Sequence, residues 1–165
     1  MRLTPDVPSV SPGQAILTGW LLCGVLDISA ACVQAWIQAG RTPPEVLRGV
    51  ASALWGRPAM EAGAGMAAIG LAMHFTVALT ATLVFFAVSR RVELLRAAPL
   101  WIVGPLYGAI VFCAMNYGML PALSWVRSLY LHTPPRWPGP MSWPQLWIHM
   151  VCVGPPIAWG VRRAR

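Results

Sequence analysis

Four long apolar runs, roughly residues 14–38, 65–89, 97–123 and 144–161, dominate the chain. Each is long enough to cross a bilayer, since a hydrocarbon core about 30 Å thick takes on the order of 20 helical residues at about 1.5 Å each. Lipid offers backbone amides no hydrogen-bond partners, so such runs must satisfy their own backbone as helices. The expected fold class is all-α, a four-transmembrane-helix bundle of up-and-down topology forming one integral membrane domain over residues 1–165.

Composition narrows the class further. The chain is 57% hydrophobic and only 10% charged, whereas a soluble domain carries roughly 25% charged residues. Too little polar surface exists to dress a globule in water, so the lipid bilayer is the expected partner. The formal charge is +7 and all twelve basic residues are arginines. They form no stripe that could follow a phosphate backbone, so nucleic acid is not an expected partner. They flank the apolar runs instead, as the positive-inside rule requires. With four crossings, both termini share a side with the middle loop. That side holds Arg2, Arg90, Arg91, Arg96, Arg162, Arg163 and Arg165; the other holds Arg41, Arg48, Arg57, Arg127 and Arg136. The pairs Arg90-Arg91 and Arg162-Arg163 adjoin run ends, so both termini are expected in the cytoplasm. Trp36, Trp55, Trp125, Trp137 and Trp143 fall near the opposite face, and Trp20, Trp101 and Trp159 near the cytoplasmic one. This is the pattern of two interfacial aromatic belts.

The first run is too long for a signal peptide and contains Asp27, so a retained helix is expected; Ser29-Ala30-Ala31-Cys32 lacks the leucine of a lipoprotein site. Cys23, Cys32, Cys113 and Cys152 all lie inside apolar runs. Cys23 and Cys32 would stand roughly 13 Å apart on one helix, beyond the ~7 Å reach of a disulfide. All four are expected as reduced, buried small side chains.

Helix starts carry their own signature. Ser11-Pro12-Gly13-Gln14, Thr42-Pro43-Pro44-Glu45 and Ser142-Trp143-Pro144-Gln145 each pair a cap residue with an early proline and a capping-box Glu or Gln. The second opens a short helix over about 43–55 whose Val46, Leu47, Val50, Leu54 and Trp55 make one apolar stripe. Thirteen or so residues cannot span, so this helix is expected to be interfacial, an anchor or a lid over the bundle. Residues 124–141, rich in Pro and Trp, predict a stiff extended connection. Gly104 and Gly108 form a GxxxG, a close-packing signal. Val153-Gly154-Pro155-Pro156 predicts a break or kink in the last run.

Three ionisable groups, Asp27, His74 and His149, lie near the middles of three different runs. Gly19, Cys23, Asp27, Ala31, Gln34 and Gln38 recur at helical spacing and make a polar, small face on the first run. Ala67, Gly70, His74, Ala78 and Ala81 do the same on the second. An aspartate at a helix centre costs about 2.5–3.5 kcal/mol on insertion scales, so it persists only if paired, protonated or wet. The histidines are its natural partners, and a carboxylate beside an imidazole can share a proton. The expected polar core is Asp27, His74 and His149, with Asn116 and Tyr117 farther out on the third run.

Three readings of that core compete: a hydrogen-bond knot that fixes register, a proton- or ion-linked path, and a redox role in which His74 and His149 ligate haem b or a metal, the metal taking Asp27 or a cysteine as well. Four short helices make a small conduit, so a transport role implies a homo-oligomer. No phosphate loop, GxSxG, HExxH or pair of embedded acids is present, so no enzyme class and no resident metal is indicated. His132 sits in the proline-rich connection, where solvation is expected.

His74-Phe75 in the second run, the basic loop Arg90-Arg91-Val92-Glu93-Leu94-Leu95-Arg96, Leu120-Pro121 at the end of a glycine-bearing third run, Thr133-Pro134-Pro135, and Trp147-Ile148-His149 occur in that order. This succession resembles the bacterial four-helix inner-membrane proteins that include the YagU-like family. The resemblance covers about residues 65–160; residues 24–58 lie outside it. It implies a bacterial inner (plasma) membrane location, four helices and no settled biochemical activity.

Overall fold

The computed structural model describes residues 10–135, 137 and 139–164. The expectations placed on Arg2, Arg136 and Arg165 lie outside the described residues. The described residues are predominantly helical, and among them the only β-type pairing is an isolated bridge between Val10 and Ala164.

Helix α1 (Pro12–Ala39) opens with the expected capping box. The Gln14 amide donates to Ser11 Oγ at 3.3 Å, and the Gln14 side chain accepts from the Ser11 amide at 3.0 Å. It closes on Gly40, whose φ of 64° is the left-handed conformation that glycine adopts without a Cβ clash. Helix α2 (Pro43–Trp55) starts on the second box, with Glu45 Oε2 accepting from the Thr42 amide at 2.7 Å. A short α3 (Arg57–Glu61) leads into α4 (Ala64–Ser89), and α5 (Leu94–Ala97) forms a single turn before the next long element.

That element is α6 (Leu100–Cys113), a π-helical segment (Ala114–Met119) and α7 (Leu120–Leu131) in one continuous rod. Helix therefore runs eight residues beyond the expected end near 123, and the extended connection begins only at His132, which terminates α7 at φ 50°. The reason is local: residues 124–131 contain neither Gly nor Pro, and Pro121 sits in the first turn of α7, where its missing N–H costs little. The last apolar run comprises α8 (Trp143–Ile148), a second π-helical segment (His149–Val153) and α9 (Gly154–Arg162). Each π segment ends two residues before a proline, Pro121 and Pro155 respectively. A widened turn relieves the clash of a proline ring with the preceding carbonyls. The break expected at Pro155-Pro156 is thus absorbed by the π turn.

Three helices are long and apolar enough to cross a membrane: Pro12–Ala39, Ala64–Ser89 and Leu100–Leu131. The last rod, from Trp143 to Arg162, is not among them; it is less apolar, carrying Gln145, His149 and three prolines.

Glycines set the packing. A Cβ on Gly154 would stand 1.8 Å from the Gly104 carbonyl oxygen and 2.5 Å from the Gly108 nitrogen, so the GxxxG of α6 is the seat of α9. A Cβ on Gly160 would lie 2.5 Å from the Gly19 nitrogen, which puts α9 equally close to α1. Dispersion and backbone proximity, rather than a hydrophobic gradient, hold such helices together. The core at this end is Cys23, Ala78, Phe85, Val103, Val153, Ile157, Ala158 and Val161. Tyr107 joins α6 to α4, its hydroxyl donating to the Ala81 carbonyl at 2.6 Å and its ring 4.8 Å from that of Phe85. Val10, the end of α9 and α5 share this end of the described residues. The Val10 amide donates to Arg163 O, and Arg162 Nε donates to Leu95 O at 2.8 Å.

At the opposite end α2 is wedged between α4 and α7. Ala51 is completely buried, and Gly70 of α4 lies so close that a Cβ there would meet the Leu47 carbonyl oxygen at 1.9 Å. Helix α7 caps α2: Arg127 Nη1 donates to Ser52 O at 2.9 Å and Ala53 O at 3.2 Å, and the Tyr130 hydroxyl donates to Leu54 O. A cation at the negative end of the helix dipole satisfies carbonyls that have no partner within the helix. Helix α2 therefore packs on α4 and α7 and closes this end of the helices.

Two expectations about single side chains are corrected. Gln145 forms no capping box with Ser142; its Nε2 donates to Gln34 Oε1 on α1 at 2.6 Å. Trp20 is no belt residue, since its indole N–H donates to Phe75 O at 2.8 Å and its ring packs edge-on against Phe75. In both, a partner on another helix satisfies a polar group that lipid could not.

Candidate functional site

Asp27 and His74 face each other across α1 and α4. Asp27 Oδ2 lies 3.9 Å from His74 Nδ1, and the two side chains are 16% and 12% exposed. The other ring nitrogen, Nε2, is 2.9 Å from the carbonyl oxygen of Gly24. A carbonyl only accepts, so Nε2 carries a hydrogen and donates. The tautomer follows: in the neutral ring Nδ1 holds a bare lone pair toward Asp27. One further proton then has two homes, the Asp27 carboxyl or His74 Nδ1. The first gives a neutral pair and the second an ion pair of zero net charge. At 3.9 Å the groups are within ion-pair reach but beyond a direct hydrogen bond.

The local sequence produces this arrangement. Gly24 has no side chain, so the Phe75 ring occupies that space; a Cβ would lie 2.4 Å from Phe75 Cε1. The same absence leaves the Gly24 carbonyl open to the His74 ring, and Asp27 follows nearly one turn later on α1.

Asp27, His74 and His149 all line one cavity of about 710 Å³. Its floor belongs to α1, α4, α6 and the last rod, and Val46, Val50 and Ala53 of α2 roof it. His149 stands apart from the Asp27–His74 pair in its bonding: Nδ1 donates to Gln145 O at 2.9 Å, and the ring packs edge-on against Phe112. That bond fixes the second tautomer and leaves Nε2 as the acceptor of the ring. Asn116 is elsewhere. Its amide donates to Phe112 O one turn back at 3.0 Å, and with Tyr117 it lines a neighbouring cavity of about 340 Å³ beside Arg127. The two cavities share Gly49, Ala53 and Leu120 of the α2–α7 boundary.

Haem ligation by His74 and His149 does not fit this geometry, because His74 commits Nε2 to Gly24 and turns Nδ1 to Asp27. Among the described residues no three His, Cys, Asp or Glu side chains converge as a metal site. Cys23, Cys32, Cys113 and Cys152 are free thiols.

The sequence reading missed Gln145, Gln34 and Gly24. Gln34 was visible as part of the polar face of the first run. Gln145 was assigned to a cap, and nothing in the sequence announces that a glycine carbonyl will accept from a histidine on another helix. Comparisons of the chain with protein families, curated proteins and solved structures return no match.

Proposed function

We propose that this chain is a four-span membrane protein whose Asp27–His74 pair binds one exchangeable proton, and that proton-linked transport through the adjoining cavity is its role. The observation that carries the reading is the locked tautomer: with Nε2 held by Gly24 O, Nδ1 and the Asp27 carboxyl 3.9 Å away are left to share a proton. Intramembrane carboxylates paired with imidazoles are the components of proton relays.

The last rod serves as the fourth crossing. From Trp143 to Arg162 it covers roughly 20 residues, the length a bilayer core requires. An even number of crossings agrees with the contacts of Val10 with Arg163 and Arg162 with Leu95, which bring the start of α1, the end of α9 and the middle loop together at one end. That end carries Arg90, Arg91, Arg96, Arg162 and Arg163, which supports a cytoplasmic placement in the inner membrane of a bacterium. The YagU-like resemblance points to the same membrane. A bundle of this size has one cavity wall per helix, so a continuous path across the bilayer calls for a homo-oligomer.

Reconstitution in liposomes tests the reading. An imposed pH gradient should drive proton flux through the wild-type protein, and Asp27→Asn should abolish it. Infrared difference spectra between acid and alkaline pH should show a protonated-carboxyl band that Asp27→Asn removes. Undiminished flux and an unchanged spectrum in that variant would overturn the proposal.

A further inference from the structure

We infer that the cavity beneath α2 binds an apolar organic cation, which displaces the proton shared by Asp27 and His74. The inference rests on the proton-binding reading of that pair and names the ligand class of the same site.

Size is the first argument. About 710 Å³ lies within the range of roughly 300–1,000 Å³ found for small-molecule sites. Wall chemistry is the second. Val46, Val50, Ile69, Met73, Met115 and Met119 present hydrocarbon and thioether, and methionine reshapes easily around irregular ligands. Such walls cannot solvate a bare inorganic ion, but they match a hydrophobic body.

Charge is the third argument. Asp27 is the only acidic residue on the wall, and no arginine lines this cavity among the described residues. The titratable groups around Asp27 are Cys23 on its own helix, His74 from α4, and Cys152 and His149 from the last rod. From α2, α6 and α7 only uncharged residues reach the cavity. An ionised carboxylate at low dielectric requires a counter-charge. When Nδ1 is protonated, the imidazolium supplies it. When an organic cation enters, that counter-charge becomes redundant, and the Nδ1 proton leaves to water while Nε2–H stays on Gly24 O. One positive charge arrives and one departs, so the loaded site keeps zero net charge in either state.

The test uses the full chain in phosphatidylcholine nanodiscs, with tetraphenylphosphonium as the cation and triphenylphosphine oxide as its uncharged counterpart. Empty nanodiscs subtract partition into lipid. Titration in weak buffer should release about one proton per phosphonium bound, and affinity should rise by up to about tenfold per pH unit across the titrating range. The uncharged compound should bind without pH dependence. Asp27→Asn should lose phosphonium binding and proton release together. Val50→Trp, which fills the cavity and spares the pair, should lose binding yet keep the carboxyl infrared band.

Phosphonium binding without proton release, or equal binding by wild type and Asp27→Asn, overturns the inference. A pH-dependent carboxyl band with no phosphonium binding overturns the ligand assignment and leaves the proton-binding reading standing. Phosphonium binding without a titrating band from either the Asp27 carboxyl or the His74 imidazole overturns both. Proton release is read on the wild-type protein, so the outcome is decided even if a variant fails to fold.

Discussion

His74 donates its Nε2–H to the carbonyl oxygen of Gly24 at 2.9 Å, from one long helix to another. That single bond orients the imidazole, selects its tautomer and presents Nδ1 to Asp27. An i to i+4 helix bond uses one lone pair of a carbonyl, and the second remains for such a donor. The arrangement couples register to protonation: sliding α4 along α1 would lose the donor bond and the ion pair together.

Removing His74 should therefore hurt more than removing the pair. His74→Phe leaves the Asp27 carboxylate uncompensated and costs about 2–3 kcal/mol. The double variant Asp27→Asn/His74→Phe should cost less than the sum of its singles, with a coupling energy on the order of 1 kcal/mol. Thermal unfolding of the four proteins in one detergent measures this. Strict additivity would show that the two side chains do not interact.

Gly154→Ala should be among the most damaging small substitutions. Its methyl would fall 1.8 Å from the Gly104 carbonyl oxygen, and backbone on both sides cannot swing away. Overpacking typically costs about 1–3 kcal/mol, and this site should lie at or above the upper figure. Gly118→Ala meets nothing within 4 Å. It should be neutral or slightly stabilising, within about 1 kcal/mol, because it only reduces unfolded-state freedom. Comparing their unfolding midpoints separates the two outcomes.

Arg127→Leu removes the cation at the end of α2. The Ala53 carbonyl loses its Arg127 donor, and Ser52 O keeps only the Gly56 amide, at a cost of about 1–2 kcal/mol. Because α2 roofs the cavity, the loss should appear locally before it appears globally. A thiol placed by Ala53→Cys should react with a water-soluble maleimide several-fold faster in the Arg127→Leu background. Equal labelling rates would show that Arg127 does not hold the roof.

Glu45 predicts an acid-side effect. Its carboxyl is held below the ordinary carboxylate range, chiefly by the Thr42 amide, then by the Thr42 hydroxyl, with Arg48 and Arg41 adding smaller pulls. A group depressed on folding contributes stability above its unfolded value and loses that contribution as pH falls through the folded value. Glu45→Gln keeps the geometry without the charge, so its unfolding temperature should depend less on pH below about 5. Parallel acid limbs for the two proteins would refute this.

Much of the local structure was legible. The capping signatures at Ser11 and Thr42 placed the starts of α1 and α2, because cap chemistry acts within four residues. The bounds of α2 came out as expected for the same reason. At Ser142 the same signature misled: Gln145 found Gln34, a partner more than a hundred residues away in sequence. The third rod outran its expected end because residues 124–141 read as one Pro- and Trp-rich connection, whereas its first eight residues hold neither Gly nor Pro. In the fold, a π turn before the proline lets the helix continue to Leu131. Asn116 shares apolar surroundings with the Asp27 cluster in sequence but turns back to its own helix, at Phe112.

The residues alone set out four long apolar runs and made helix their expected state, because lipid leaves backbone amides no partner but the chain itself; three of the helices that form are long and apolar enough to cross a membrane. The residues also determined where small and polar residues line up on α1 and α4, since a helix repeats every 3.6 residues whatever surrounds it. Only the tertiary structure decided that Gly24 would hold His74, that α2 would roof a cavity, and that Gly154 would rest on Gly104. Those outcomes depend on which faces meet and at what depth, and close packing between distant segments carries no periodic signature along the chain.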